Sequence, residues 1–345
     1  MNQVMLDKQG TDTTSKTRAD TLLAELRHMN KKFSAADGDV WACKDINLQI
    51  RQGRSLGLVG ESGSGKSTLI RVLQMLIAPT SGDVYLDGVN VTRLSARRLR
   101  PHRRIVQFVA QDPYGSLFPN LTVGQNIAEP LDIYRIDERR QNKETAAKLM
   151  ATVGLPIELY HAFPHEISGG QQQRVAIARA LALYPRMLVL DEAVSSLDVS
   201  IQAQILNLLQ TLKEERQLTY VFVSHNLAVI RLMCEQTAVM YRGQIVEQGE
   251  TLGLFASPSH PYTRALIGAI PAFTEDGVTP LGGVSKFAKE LTKAEEGLTA
   301  ACPYAARCPF ADTKCRQEEP HLREVGPGHE VACHYAESVA LTQEA

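Results

Sequence analysis

Apolar and polar residues alternate along LLAELRHMN (Leu22–Asn30) and WACKDINLQI (Trp41–Ile50), the two-residue period of strands with one buried face. SLGLVG is a short apolar run that ends in glycine. From Lys66 the period lengthens: KSTLIRVLQML sets Leu69, Val72, Leu73 and Leu76 on one helical face. Two later runs, RMLVLDE and TYVFVSH, have the length and β-branching of strands buried on both faces, and each leads into helix-like sequence such as SIQAQILNLLQTLKEE. Strands alternating with helices predict an α/β fold around a parallel sheet. Between Pro113 and Ser168 strand signals thin out and helical ones dominate, which predicts a helical insertion over residues 113–168. The segment SPSHPYTRAL reads as a proline-started helix. Residues 1–19 read as a flexible polar tail, 20–271 as the main domain, 272–297 as a linker and 298–345 as a small cysteine-bearing module.

Composition narrows the class. The 345 residues are 44% hydrophobic and 22% charged, enough for a sizeable core and a second, smaller unit. Basic and acidic residues number 37 and 38, a net charge of -1, so no overall basic field attracts nucleic acid. The one basic run, Arg93–Arg104, reads as a solvated helix face, with docking as the second reading. The N-terminal sequence has no apolar signal-peptide core, which points to the cytosol. No run approaches the roughly 18 consecutive apolar residues of a spanning helix, so any membrane link goes through a partner. Four of the six cysteines, Cys302, Cys308, Cys315 and Cys333, lie beyond residue 300, and in a reducing compartment such clustering favours metal over disulfides. Cys43 and Cys234 read as buried structural thiols.

GESGSGKST, from Gly60 through Glu61, Ser62, Gly63, Ser64, Gly65, Lys66 and Ser67 to Thr68, satisfies G-x-x-x-x-G-K-[ST] between a strand and a helix. Its glycines let backbone N–H groups turn inward around phosphates; Lys66 would bridge β and γ oxygens, and Ser67 would hold Mg²⁺. MLVLDE ends a buried strand in two carboxylates, with Asp191 suited to the Mg²⁺ shell and Glu192 to polarising an attacking water. His225 follows a third strand where it could reach a γ-phosphate. ISGGQQQR places Ser168, Gly169 and Gly170 ahead of a helical run, a second anion-receptive helix start.

These motifs together resemble the ATP-binding cassette family of P-loop ATPases. GESGSGKST is similar to its first phosphate motif, Gln111 in VAQDPYGSL to its Q-loop, ISGGQQQR to its signature, LVLDEAVSSLD to its second carboxylate motif and D-loop, and VSHN to its switch histidine. The departures are small: Ile167 replaces the usual leucine, Gln172 stands where arginine or lysine is common, and Phe118 where asparagine is. The resemblance implies that two cassettes pack head to tail, so that Ser168, Gly169, Gly170 and Gln171 cap ATP held by the mate's P-loop, with Asp198 of the D-loop also among the nucleotide-binding residues. It implies catalytic roles for Glu192, His225, Gln111 and Lys66, Mg²⁺ held by Ser67, Gln111 and Asp191, and an adenine platform at Phe33, with Trp41 second.

The spacing C-x5-C-x6-C-x17-C lacks the tight pairs typical of zinc fingers, and four thiolates could hold zinc or a cubane cluster. With VSSLDVSIQAQ, QDPYGSL and SPSHPYTRAL, the module resembles the C-terminal extension of dipeptide and oligopeptide importer ATPases, which implies a [4Fe-4S] cluster. It also implies a paralogous second cassette, two transmembrane permease subunits and a peptide-binding protein outside the cell, with this chain at the cytoplasmic face of the inner membrane. Cassettes for nickel, glutathione or antimicrobial peptides are the nearest alternative. A non-transport cassette acting on nucleic acid fits the neutral charge less well.

Overall fold

The computed structural model describes residues 21–35, 38–136, 138–195, 197–269, 271–274, 277–280 and 301–341. The tail expected at 1–19 lies outside them. Strands in chain order are β1 (Leu22–Ala35), β2 (Gly38–Arg51), β3 (Leu56–Val59), β4 (Ser81–Leu86), β5 (Val89–Asn90), β6 (Val106–Val109), β7 (Met187–Asp191), β8 (Thr219–Val223), β9 (Gln236–Tyr241), β10 (Gln244–Glu250), β11 (Pro271–Thr274), β12 (Gly277–Pro280), β13 (Arg323–Gly326) and β14 (His329–Val331).

The main sheet runs β13-β14-β10-β9-β3-β8-β7-β6, and the stretch from β9 to β6 is parallel. Its apolar strands are covered on both faces. Leu188 and Leu190 of β7 join one core with the helical insertion, while Met187 and Val189 point into the other, under the antiparallel sheet β2-β1-β4-β5. The alternation of side chains along a strand is what lets one short run serve two cores.

Helices Pro113–Ser116, Val123–Tyr134 and Arg139–Thr152 fill the expected insertion, and no strand occurs among its described residues. The helix opening at Lys66 buries Leu69, Ile70, Val72 and Leu73 but ends at Leu73. Leu76 therefore leaves the expected buried face and is 61% exposed, because Met75 turns the chain with a positive φ of 53°.

Two differences concern the C-terminal third. The region read as a linker begins with a β11–β12 hairpin, and residues 281–300 lie outside those described. The cysteine module is not simply tethered: β14 pairs with β10 at Glu247–Val331 and Gln248–Glu330, extending the main sheet. Strand β10 would otherwise present an open ladder edge, which a short added hairpin covers. The buried Glu247 carboxylate fixes the junction, accepting from the N–H groups of Ser259 at 2.7 Å and His260 at 3.0 Å and lying 2.8 Å from His329 Nε2. Among the described residues no helix is long and apolar enough to cross a membrane.

Candidate nucleotide site

Parallel pairing brings the motifs to one edge. Leu58 lies beside Val223, Val223 beside Asp191, and Leu190 beside Val109. The chain therefore leaves β3 at Gly60, β7 at Glu192, β8 toward His225 and β6 toward Gln111 along a single C-terminal rim, where open α/β sheets bind ligands.

The P-loop owes its shape to close packing against the turn after β9. Gly60 (φ 148°) and Gly65 (φ 106°) have no room for a side chain: a Cβ on Gly60 would lie 2.2 Å from the Met240 carbonyl oxygen, and one on Gly65 2.3 Å from that of Ala42. The helix that follows has no side-chain cap, so its first N–H groups face the loop. Lys66 Nζ donates to the carbonyls of Gly60 at 2.7 Å and Glu61 at 2.8 Å and to Ser64 Oγ at 3.2 Å. Burial holds its pKa below the usual lysine range, while Glu192, Asp191 and Glu61 pull the other way. Ser62, Gly63 and Ser67 line the exposed side of the loop, with Thr68 half-buried behind them.

Asp191 is half-buried, and desolvation followed by repulsion from Glu192 raises its pKa, with Lys66 and Arg71 opposing. Such a carboxylate gains from a divalent cation, which fits the Mg²⁺ role expected of it. Between its unfolded and its raised folded pKa the folded state binds the extra proton, so stability falls as pH rises through that window and stays lower above it. Asp191→Asn should therefore raise the melting temperature of the nucleotide-free chain slightly near about pH 7. The gain should shrink toward about pH 2.5, below the unfolded pKa, where wild type is protonated in both states. Calorimetry at the two pH values checks the sign, and a lower melting temperature at neutral pH would contradict it.

Glu192 sits in the left-handed region (φ 47°), a conformation that costs a non-glycine residue about 1–3 kcal/mol. Its N–H donates to the Val223 carbonyl at 2.8 Å, and its own carbonyl accepts from the Ser195 N–H and hydroxyl at 3.0 and 2.9 Å. The carboxylate Oε1 lies 3.1 Å from His225 Nδ1.

Several expected residues have other work in the structure. The N–H of Glu61 donates to the Tyr262 hydroxyl at 2.7 Å and its carboxylate binds Arg307. Ser168 and Gln171 form a capping box: the Ser168 N–H donates to Gln171 Oε1 at 2.9 Å, and the Gln171 N–H to Ser168 Oγ at 3.4 Å. This S-x-x-Q pattern could have been read from sequence. Gly169 and Gly170 open the helix Gly169–Leu181, where geometry leaves N–H groups pointing out of the end. Asp198 caps the helix Val199–Arg216, accepting from the Ile201 N–H at 2.9 Å and Ser200 Oγ at 2.8 Å. Phe33 and Trp41 are both exposed on the β1–β2 hairpin, each under a lysine: Lys31 is 5.0 Å from the Phe33 ring and Lys32 5.4 Å from the Trp41 ring. Trp41 stands closer in the chain to the P-loop support, since the carbonyls of Trp41 and Ala42 approach Gly243.

Cys43 and Cys234 are buried and free, as expected. Among the described residues no group of three or more His, Cys, Asp or Glu side chains is arranged to hold a metal ion. Tyr262 and Arg307, missed in the sequence, reach the P-loop from far along the chain.

The comparisons with known proteins agree with this geometry. The ABC transporter family profile matches residues 43–195, and that of the oligopeptide/dipeptide transporter C-terminal region matches residues 246–315. A putative peptide import ATP-binding protein of Brucella ovis is 41% identical over 314 residues, 91% of this chain and 98% of that protein. Another, from Brucella abortus, is 47% identical over 294 residues, covering 85% of this chain and 86% of the relative. Among solved structures, a dimeric ATP-binding cassette in a post-hydrolysis state with ADP and Pi matches at 32% identity and a TM-score of 0.61, covering 66% of this chain and 98% of that one. A Clostridium perfringens cassette from an ABC transporter complex matches at 27% identity and 0.61, covering 69% and 92%. The chain belongs to the ATP-binding cassette ATPases of the oligopeptide/dipeptide transporter family.

Proposed function

We propose that this chain hydrolyses ATP to energise import of dipeptides or oligopeptides at the cytoplasmic face of the inner membrane. It would work with a second, paralogous cassette, two permease subunits and an external peptide-binding protein. The observation that carries this reading is the coincidence, on one chain, of the rim of P-loop, paired carboxylates and His225 with a matched oligopeptide/dipeptide transporter C-terminal region. In the proposed cycle Lys66 and the loop N–H groups hold the phosphates, Ser67, Gln111 and Asp191 hold Mg²⁺, Glu192 orients water and His225 reaches the γ-phosphate. The Gly169–Leu181 helix would cap the mate's nucleotide, a pairing supported by the likeness to the dimeric post-hydrolysis cassette.

A permease has a place to dock. Leu76, Phe108 and Ile133 are exposed around a groove with Gln107, Tyr134 and Arg179, between the sheet rim and the helical insertion. Exposed apolar residues gathered in a polar-edged groove mark protein contact. Gln111 follows Phe108 by three residues, a route by which movement at the nucleotide would reach this surface. Uptake of a labelled peptide by cells lacking the chain tests the reading: wild type restores uptake and Glu192→Gln does not. Restoration by the variant would overturn it.

The four C-terminal cysteines are proposed to hold a [4Fe-4S] cluster, which would supply a rigid cross-link and a one-electron centre. What supports this is their chemistry. Each thiol's pKa is raised first by burial, Cys308 to about 12 and Cys333 to about 11; charges on neighbouring cysteines of the set add to the effect at Cys302, Cys308 and Cys333, and Asp312 adds to it at Cys315. Backbone N–H groups two residues on, at Tyr304, Phe310 and Tyr335, oppose it by hydrogen bonding to Cys302, Cys308 and Cys333. A cationic centre would reverse the cost of ionising these thiols, and the N–H donors would stabilise the thiolates so formed. Anaerobically purified wild type should carry about four irons per chain, and Cys308→Ser should lose most of them by metal analysis. Iron-free wild type, or zinc in its place, would refute the cluster.

A further inference from the structure

The second residue of the P-loop is gripped twice by sequence far downstream. The Glu61 N–H donates to the Tyr262 hydroxyl at 2.7 Å, across 201 positions. The Glu61 carboxylate takes both arms of the Arg307 guanidinium, at 2.9 and 3.0 Å, across 246. Arg307 ends the turn Ala305–Arg307, directly before Cys308. Its guanidinium lies over the rings of Tyr304 at 5.8 Å and Tyr241 at 6.0 Å. Tyr304 is buried in a ring cluster, 5.2 Å from Tyr241 and 5.5 Å from Tyr262. Lys44, on β2 beside the P-loop support, pairs with Glu319 of the module at 2.6 Å. A continuous set of packed groups thus joins Cys302 and Cys308 to the phosphate loop, and Glu61 passes it on through its carbonyl, which accepts from Lys66 Nζ at 2.8 Å.

As an ion pair, Arg307–Glu61 is partly exposed on both sides, so its contribution to stability is small. Its geometry matters more. A forked guanidinium–carboxylate contact fixes direction as well as distance, which a lysine cannot do. The loop it holds contains Gly60, Gly63 and Gly65, all at positive φ, and glycine-rich backbone loses much entropy when it orders around a ligand. Ordering the loop beforehand lowers that cost and so tightens binding.

We propose that Arg307 is a positioning residue for the phosphate loop: through Glu61, the C-terminal cysteine module sets the ATP affinity of its own subunit. This rests only on the chain's being an ATP-binding cassette; it does not depend on which metal the thiols hold. The test is titration of the full chain with a fluorescent ATP analogue and Mg²⁺, beside steady-state hydrolysis with the mate. Arg307→Ala should weaken binding about tenfold and raise KM in proportion, with kcat at saturating ATP within about twofold of wild type. Arg307→Lys should fall between the two. Glu61→Gln leaves the module's own sequence intact and should weaken binding as much as Arg307→Ala, and the exchanged pair Glu61→Arg with Arg307→Glu should recover most of what either single change loses. Native thiol reactivity in Arg307→Ala should match wild type, which excludes an unfolded module as the cause. Wild-type affinity in either Arg307→Ala or Glu61→Gln overturns the proposal, as does an exchanged pair no tighter than its singles, or a loss in Arg307→Ala that goes with faster thiol reaction.

Discussion

Glu192→Gln is expected to cut steady-state phosphate release at least about 100-fold while Mg–ATP affinity stays within about threefold. The amide keeps the size and the backbone of the carboxylate. The Glu192 N–H bond to Val223 and the two Ser195 bonds to its carbonyl involve main-chain atoms only, so the left-handed conformation survives the change. What is lost is a full negative charge able to draw a proton from water, and with it the charge that faces His225 at 3.1 Å. Binding is spared because the phosphates meet Lys66 and the loop N–H groups instead. Phosphate release measured beside nucleotide binding separates the two effects. A fall of less than about tenfold would move the base elsewhere on the rim, with His225 the neighbour to try next.

The parts of this protein that were legible in the sequence are those whose signal is local. Strands β7 and β8 are buried on both faces, so their apolar runs are continuous, and the glycines of the P-loop follow from backbone geometry within nine residues. The boundaries of local signals were less clear. Leu76 keeps helical spacing with Leu69 and Leu73, yet Met75 has already left the helix, and only the positive φ there shows it. Ser168, Gln171 and Asp198 match ligand-facing positions of the family pattern, and each also satisfies a helix start. A capping residue and an anion-binding residue share one chemistry, acceptor or donor at an open helix end, so the pattern alone does not separate them. The contacts of Tyr262 and Arg307 with Glu61 were not legible, because contacts across 201 and 246 positions leave no period in the chain. The same holds for β14, a three-residue strand whose place beside β10 is fixed by Glu247 and His329 rather than by any pattern of its own.

Gly169→Asp is expected to reduce hydrolysis at least about 100-fold at the nucleotide held by the mate, and to leave this chain's own ATP affinity unchanged. The adjacent glycines differ in what a side chain would meet. A Cβ on Gly170 would stand 2.7 Å from Ile201 Cγ2, so that glycine is required by helix packing. On Gly169 the nearest atom is Leu197 Cδ2 at 3.9 Å, an ordinary contact, and a carboxylate at the first position of a helix is favoured by the helix dipole. The substitution should fold, and its defect should be electrostatic: a negative charge placed where the proposed dimer brings a γ-phosphate. Pairing it with Lys66→Ala decides which subunit owns the site. With both changes on one subunit, a shared site predicts that both nucleotides are disabled, one through its own P-loop and the other through its cap. With the changes on opposite subunits they fall on the same nucleotide, and the other should still be hydrolysed in a single turnover. If each chain instead served its own nucleotide, the two arrangements would give the reverse result, and the head-to-tail pairing would be lost.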